Sequence, residues 1–471
     1  MTEPRKLGLV ELAGLVAKGE LTSGEIVQSC LEALDAYDTH LKAFISIDRE
    51  DVVKRAREID SRSARDRGPL AGIPVAVKDL IDVAGQVTTN GSSFFREAEP
   101  AKKDAPIIGR LKDEGAVIFG KTNLHEFAWG GTSANPHFGI CRNPWNLEHN
   151  PGGSSGGSGA AVAARIVPGA LGTDTLGSIR IPSSYCGIVG LKPTYDLLPT
   201  KGIFPLGYTL DHVGPMARSV GDVRLLFNAL LSPNARSKLE KTGQGVTYST
   251  AGSKRLKGVR IARLPNLVPE SMCFETTWLK YQHAYELAEN EGAEIVDEQI
   301  PGFEAALTAA FTLTLAQASE IHHERLAENP DGFGSDVRDR LEQGHMLSAV
   351  DYVRAQRVRA KLLAEARKLI NWVDAWIFPT TPYPAGRVGQ AGEQNAALFT
   401  GPINALGFPS VALPSGLTED NLPVSIQIIA APYREYQLLG IAEIMEDRLD
   451  FSTGLPVGME SLGKKDFSAQ G

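Results

Sequence analysis

Residues 152–180 read GGSSGGSGAAVAARIVPGALGTDTLGSIR, and the interpretation of the whole chain turns on them. Small residues crowd around Ser154, Ser155 and Ser178, one bulky residue, Leu176, stands among them, and no histidine lies inside. A phosphate loop would need GxxxxGK[ST], and no lysine occupies that place. A flexible linker would not run straight into the apolar, helix-compatible AAVAARIV. The third reading is a nucleophile site. Glycines let backbone N–H groups approach a substrate and form an oxyanion hole, while serines supply hydroxyls.

Outward from this stretch the chain is ordinary for a globular protein: 471 residues, 42% hydrophobic and 22% charged, with a formal net charge of −8. That balance favours no polyanionic partner, so nucleic acid is not expected. The start, MTEPRKLGLVELAGLV, lacks a signal peptide's apolar core and cleavage site, and no run suffices for a spanning helix. Cys30, Cys141, Cys186 and Cys273 are scattered without a CxxC pair and read as reduced thiols of a cytoplasmic protein.

The first 65 residues read as helical. TSGE at 22–25 fits a capping box, and Ile26, Cys30, Leu31 and Leu34 then recur on one face. From residue 72 onward, GIPVAV, AVIFG, VRIARL, AWIFP, SVALP and VSIQIIA are candidate buried strands between helical patterns. That alternation predicts an α/β fold: a mixed central sheet covered by helices on both sides. One domain over 1–455 is expected, with a helical layer at 270–370, a surface loop or joint at 234–256 and a loose tail at 456–471.

A serine nucleophile needs a base. His125, His137, His149 and His212 flank the region, yet none falls in a recognisable triad pattern. There is no HExxH, and the pair His322–His323 on a charged helix is a weak metal signal, so no metal or organic cofactor is expected. Lys78 is the other candidate. It ends the apolar run GIPVAVKD (72–79), although a lone lysine at a strand end ordinarily reaches solvent.

Several phrases, in order, decide the matter: GIPVAVKDLIDVAG, GKTNLHEFAWGGTSANPHFG, RNPWN, PGGSSGGSGAAVAA, LGTDTLGSIRIPSSYCGIVGLKPT and LDHVGPMARSVGDV. Together they resemble the amidase signature family from about residue 70 to 223, and VDAWIFPTTP and LPVSIQIIAAPYRE resemble its C-terminal half. The resemblance implies a Ser–cis-Ser–Lys triad: Ser178 as nucleophile, Ser154 as bridging serine and Lys78 as base, with a cis peptide between Gly153 and Ser154. Ser155 becomes a supporting hydroxyl. The oxyanion would meet the N–H groups of Thr175, Leu176, Gly177 and Ser178, with Asp174 and Arg180 bracing the loop as a charge pair.

The chemistry is coherent. An ordinary lysine, with pKa ~10.4, would need ~4.6 kcal/mol to be neutral at pH 7. Burial at a strand end lowers that requirement. Neutral Lys78 could then take the Ser154 proton while Ser154 takes that of Ser178, and the reverse relay would protonate the departing nitrogen.

The family commonly reads GTDTGGSIR, so Leu176 replaces a glycine. Its N–H survives, but leucine resists positive φ and adds an apolar side chain beside the reacting carbonyl. An altered pocket is the expectation, impaired chemistry the alternative. Phe127, Trp129, Gly130, Thr132, Asn135, Phe138, Trp145, Tyr185, Phe204 and Tyr208 are further pocket candidates. The set favours small hydrophobic or aryl amides, anilides or carbamates (urethanes), hydrolysed by an enzyme that is free-standing or a homodimer. Two other readings stand beside it. One is the glutaminase subunit of a Glu-tRNA(Gln) amidotransferase, in which the segment after LKPT typically reads RVSRYGLVAFASSLDQIGP, against DLLPTKGIFPLGYTLDHVGP here. The other, motivated by Leu176 alone, is a catalytically weakened binding protein.

Overall fold

A computed structural model describes residues 3–63, 67–242, 255–390, 396–449, 451, 454–460 and 462. Its strands are β1 (Phe44–Ser46), β2 (Pro74–Lys78), β3 (Val117–Thr122), β4 (Ala134–Asn135), β5 (Gly139–Ile140), β6 (Gly169–Asp174) and β7 (Val189–Lys192). There follow β8 (His212–Ala217), β9 (Arg260–Arg263), β10 (Glu294–Asp297), β11 (Ala375–Pro379), β12 (Ser410–Leu417) and β13 (Pro423–Ile429). Eleven of them form one mixed sheet in the order β1-β3-β2-β6-β8-β7-β12-β13-β11-β9-β10, while β4 and β5 make a separate hairpin.

Helices flank this sheet, as the alternating pattern requires, and its inner strands β2, β3, β6, β7, β8 and β13 are buried along their whole length. Every candidate strand in the apolar reading is a strand. β6, β7 and β8 escaped it because GALGTD, VGLK and HVGPMA are broken by glycine and proline. These segments are held by neighbours on both sides rather than by intrinsic β preference.

The N-terminal region forms helices Leu9–Lys18, Ser23–Leu41 and Arg49–Asp60, with the short β1 between the last two. Thr22 and Glu25 close the capping box: Thr22 Oγ1 accepts from the Glu25 N–H at 3.2 Å, and the Thr22 N–H donates to Glu25 Oε2 at 2.9 Å. Ile26, Cys30, Leu31 and Leu34 are all buried. Each buried aliphatic side chain contributes roughly 1.5–3 kcal/mol relative to exposure. The helical stretch 270–370 contains Glu275–Asn290, Ala306–Ile321, Ser335–His345 and Ala349–Ile370, interrupted by the unexpected edge strand β10. In the polar segment, residues 233–242 are helical, and the rest of it to 254 lies outside the described residues, as does most of the tail. All four cysteines are free thiols. Among the described residues no helix is long and apolar enough to cross a membrane.

The arrangement that matters is local. β2 and β6 are parallel neighbours, Val77 opposite Leu171, so both deliver their C-terminal ends to one edge of the sheet. Lys78 closes β2, and the chain leaving β6 at Asp174 soon reaches Ser178. Ser154 and Ser155 lie just before the helix Gly156–Ala163, which packs on β2, β3 and β6. Parallel strand ends are where open α/β sheets place ligands.

Candidate active site

Lys78 is fully buried, and its Nζ donates to Ser154 Oγ at 2.7 Å and to Thr173 Oγ1 at 2.7 Å. Burial pushes its ammonium well below the usual lysine range, against the charges of Asp174 and Asp211. The peptide between Gly153 and Ser154 is cis. Ser178 lines the adjoining cavity, and among the described residues its hydroxyl makes no hydrogen bond. No described histidine hydrogen-bonds to Ser154 or Ser178. His212, buried like His125, donates from Nδ1 to the Leu210 carbonyl at 2.6 Å and meets Lys192 Nζ at Nε2, 3.2 Å away.

The loop around Ser178 is braced from behind. Arg180 Nε donates to Asp174 Oδ2 at 3.0 Å and Arg180 Nη2 to Oδ1 at 3.1 Å, with both residues wholly buried. Arg180 also donates to Gln427 Oε1 at 2.8 Å and to the Thr400 carbonyl at 3.1 Å. Burial alone would raise the Asp174 carboxyl. The Arg180 charge and hydrogen bonds, with Lys192 and His212, instead hold it well below the usual carboxylate range. Asp174 Oδ1 also accepts the Gly177 N–H at 2.7 Å. That N–H is therefore committed to the carboxylate, whereas those of Thr175, Leu176 and Ser178 have no acceptor among the described residues. Ser155 Oγ donates to the Thr173 carbonyl at 3.1 Å and accepts the Thr173 N–H at 3.2 Å, a strut between the serine loop and β6.

Positive φ falls on Gly177 (+133°) and not on Leu176, so the glycine that the loop conformation demands has been kept. A Cβ on Gly177 would lie 2.2 Å from Thr400 Oγ1. Thr400 Oγ1 donates to the Leu176 carbonyl at 2.7 Å, which fixes the peptide between the two.

A cavity of about 260 Å³ opens in front of Ser178, lined by Trp129, Gly130, Leu176, Ile181, Leu206, Phe311 and Arg340, among others. Of the expected pocket residues it receives Trp129, Gly130 and Leu176. The others go elsewhere. Phe127 is buried in an aromatic cluster, with Phe204 at 5.4 Å, Phe333 at 5.7 Å and the His322 ring at 4.2 Å. Thr132 Oγ1 lies 3.3 Å from His125 Nδ1, and Tyr185, on the helix Arg180–Cys186 that follows Ser178, is buried with Ile181, Ala385 and Ala396. Tyr208 is half exposed, with its carbonyl accepting from Tyr195 Oη. Asn135 bridges the Gly91 and Leu124 carbonyls, Phe138 stacks under Arg96, and Trp145 Nε1 donates to the Cys186 carbonyl.

Ile181, Leu206, Phe311 and Arg340 line the cavity without having been expected there, and the last two come from the helices Ala306–Ile321 and Ser335–His345, far along the chain. The same layer grips the loop 125–132. His125 Nε2 lies 2.8 Å from Asp336 Oδ2, which also accepts from Arg340 Nη1 at 2.9 Å, while Arg340 Nη1 donates to the Trp129 carbonyl at 2.7 Å. Glu126, buried, takes the Ser92 hydroxyl at 2.6 Å, the Gly334 N–H at 2.7 Å and His137 Nε2 at 2.8 Å. These anchors hold Phe127 and Ala128 at φ of 51° and 60°, unusual for residues with a Cβ. Gly130 is required by close approach, since a Cβ there would meet the His125 ring at 2.3 Å.

A family model described as Amidase matches residues 25–439. A glutamyl-tRNA(Gln) amidotransferase subunit from Symbiobacterium thermophilum is 35% identical over 468 residues, covering 93% of this chain and 95% of that one. Among solved structures, a chain of a vestigial protein complex bearing on the origins of an s-triazine catabolic enzyme is 33% identical, with a TM-score of 0.85 over 94% of this chain and 98% of its own. The native peptide amidase of Stenotrophomonas maltophilia is 28% identical, with a TM-score of 0.80 over 96% and 98% of the two chains. With the family model spanning most of its length and these relatives matching nearly end to end, the chain belongs to the amidase family and is an enzyme acting on carbon–nitrogen bonds.

Proposed function

We propose that the protein hydrolyses the C–N bond of a small amide with an apolar body, through an acyl-enzyme on Ser178. The observation that carries this is a fully buried lysine 2.7 Å from the hydroxyl of Ser154, beside a mostly apolar cavity that contains Ser178. Neutral Lys78 takes the Ser154 proton with its lone pair while an N–H stays on Thr173. Ser154 takes the proton of Ser178, whose Oγ attacks the carbonyl carbon. The oxyanion is met by the N–H groups of Thr175, Leu176 and Ser178, the three without another acceptor among the described residues. The proton returns along the same path to the leaving nitrogen, an amine or ammonia departs, and water then attacks the ester to release the acid. No step calls for a metal or organic cofactor.

The apolar lining of Trp129, Leu176, Ile181, Leu206 and Phe311 supports an aryl or aliphatic amide, anilide or carbamate. A second reading, the glutaminase subunit of an amidotransferase, has its own support. Arg340 is the one charged side chain lining the cavity among the described residues, and the 35% identical relative carries that subunit's name. On that reading the protein works with partner subunits of an amidotransferase, not as a homodimer. The test is turnover of anilides, carbamates, aliphatic amides and glutamine, the last with and without the other amidotransferase subunits, alongside labelling by a serine-directed sulfonyl fluoride. Glutamine turnover alone, rising with the partner subunits, would replace the first reading by the second. Absence of label at Ser178 would overturn both.

A further inference from the structure

We infer that Asp211 is a positioning residue for the reaction: it fixes the Thr175 arm of the oxyanion site and supplies a negative charge beside the base. This rests on the acyl-enzyme reading above. Asp211 immediately precedes β8, and the first residue of that strand, His212, pairs with Asp174, the last of β6. The exit of one strand therefore faces the entry of the other, and the Asp211 carboxylate reaches across. Its Oδ1 accepts the Thr175 hydroxyl at 2.6 Å and the Gly207 N–H at 3.1 Å, while Oδ2 accepts the Leu206 N–H at 3.0 Å. One carboxylate thus ties together Thr175 and Leu206, both of which line the cavity with Ser178. Thr175 has no comparable tether through its backbone N–H, which is one of the three left open to substrate.

The charge has a separate role. The carboxylates acting on Lys78 are Asp174 from β6 and Asp211 from the loop before β8. Asp174 is neutralised by Arg180 and also faces Lys192 and His212. Asp211 has no arginine or lysine within ion-pair distance among the described residues; burial raises its carboxyl, and the Thr175 hydroxyl, the Leu206 and Gly207 N–H groups and the Lys78 charge favour its ionised form. An unpaired carboxylate at this place moderates the fall that burial imposes on the lysine.

Substitutions separate the two effects. Thr175→Val keeps the N–H and the shape but removes the hydroxyl donor. It is expected to lower kcat about 10-fold or more with KM within about 2-fold, because the oxyanion contact forms in the transition state. Asp211→Asn can still bridge Thr175 and the two N–H groups, with its amide nitrogen donating to the Thr175 hydroxyl, but carries no charge. Its acidic limb of kcat/KM is expected at lower pH than that of the native enzyme, since Lys78 loses a stabilising anion. Asp211→Ala should show both effects. An Asp211→Asn limb that stays in place, or a folded Thr175→Val with native kcat, overturns the inference. Full turnover in Ser178→Ala would instead overturn the reading on which it rests, so the two failures are distinguishable.

Discussion

Leu176 replaces a glycine, yet its backbone stays out of the left-handed region while the adjacent Gly177 takes the positive φ. The backbone reason for expecting impaired chemistry is therefore gone, and what remains is the side chain, buried in an apolar cluster with Leu206 and Ala405 and lining the cavity. Leu176→Gly should keep the enzyme active and redistribute specificity. A hydrophobic substrate that loses this contact should lose kcat/KM by the equivalent of ~1–3 kcal/mol, while bulkier amides gain. Parallel kinetics on one small and one bulky amide check this, and a uniform rise in kcat would point back to strain. Lys78 gives a second prediction at this scale. On the proposed mechanism the neutral amine is the base, and burial depresses its pKa, so kcat/KM should rise with pH through that depressed value and level off above it. Lys78→Ala should remove the limb and cost orders of magnitude in rate, and a limb that persists would assign the titration to another group. What the residues disclosed in advance was the chemistry of each side chain. Their commitments to one another stayed hidden: nothing in GTDTLGSIR announces that the Gly177 N–H is taken by Asp174.

Among the elements, the loop 125–132 depends on the helix Ser335–His345 for its shape. Burial would raise the Asp336 carboxyl, but its hydrogen bond to His125 and the charges of His125 and Arg340 hold it well below the usual carboxylate range. Asp336→Asn removes that charge from beneath Arg340 and weakens the grip on His125. The expected outcome is a rise in KM of about 3- to 10-fold with a smaller change in kcat, since the residues displaced hold substrate and do not react. Steady-state kinetics on an apolar amide and on glutamine measure it. On the second functional reading glutamine should behave oppositely to the apolar amide, with a fall in KM, because an Arg340 freed of Asp336 binds a carboxylate-bearing substrate better. The first half of this arrangement, the strand end at Lys78 and the helix after Ser155, was legible because local apolar patterning marks both. The second half was not, because Phe311 and Arg340 reach the cavity from helices far beyond Ser178 in the chain, with no local signal of direction.

For the whole molecule, the buried Asp174–Arg180 pair links β6, the helix Arg180–Cys186, the segment at Thr400–Asn404 and β13 through Gln427. Removing one partner leaves a buried charge without compensation, a loss of about 3–5 kcal/mol. Arg180→Met should therefore shift the chemical denaturation midpoint sharply downward, whereas Asn404→Asp, which adds a carboxylate beside Asp174, should also abolish activity by disturbing the loop. Equilibrium unfolding monitored by far-UV circular dichroism, paired with turnover, checks both. A native-like midpoint for Arg180→Met would show that the network is dispensable for stability. The mixed sheet was foreseeable from alternating strand and helix patterns, but the strand order was not, since β6, β7 and β8 gain their extended form from neighbours that no local window contains.

The two parallel strands that end together, and the distant helices that wall the cavity, give this protein a division of labour with an evolutionary consequence. On the proposed mechanism the groups that make and break bonds are drawn from residues 78–180, while Phe311 and Arg340, which line the cavity, come from elsewhere and make no hydrogen bond to Lys78, Ser154 or Ser178 among the described residues. Mutational drift at those two helices can retune what is accepted without disturbing how it is cleaved. A directed-evolution library restricted to the cavity-facing positions of residues 306–345 should accordingly yield many catalytically competent variants with dispersed substrate preferences, and one restricted to residues 152–180 should yield mostly dead ones.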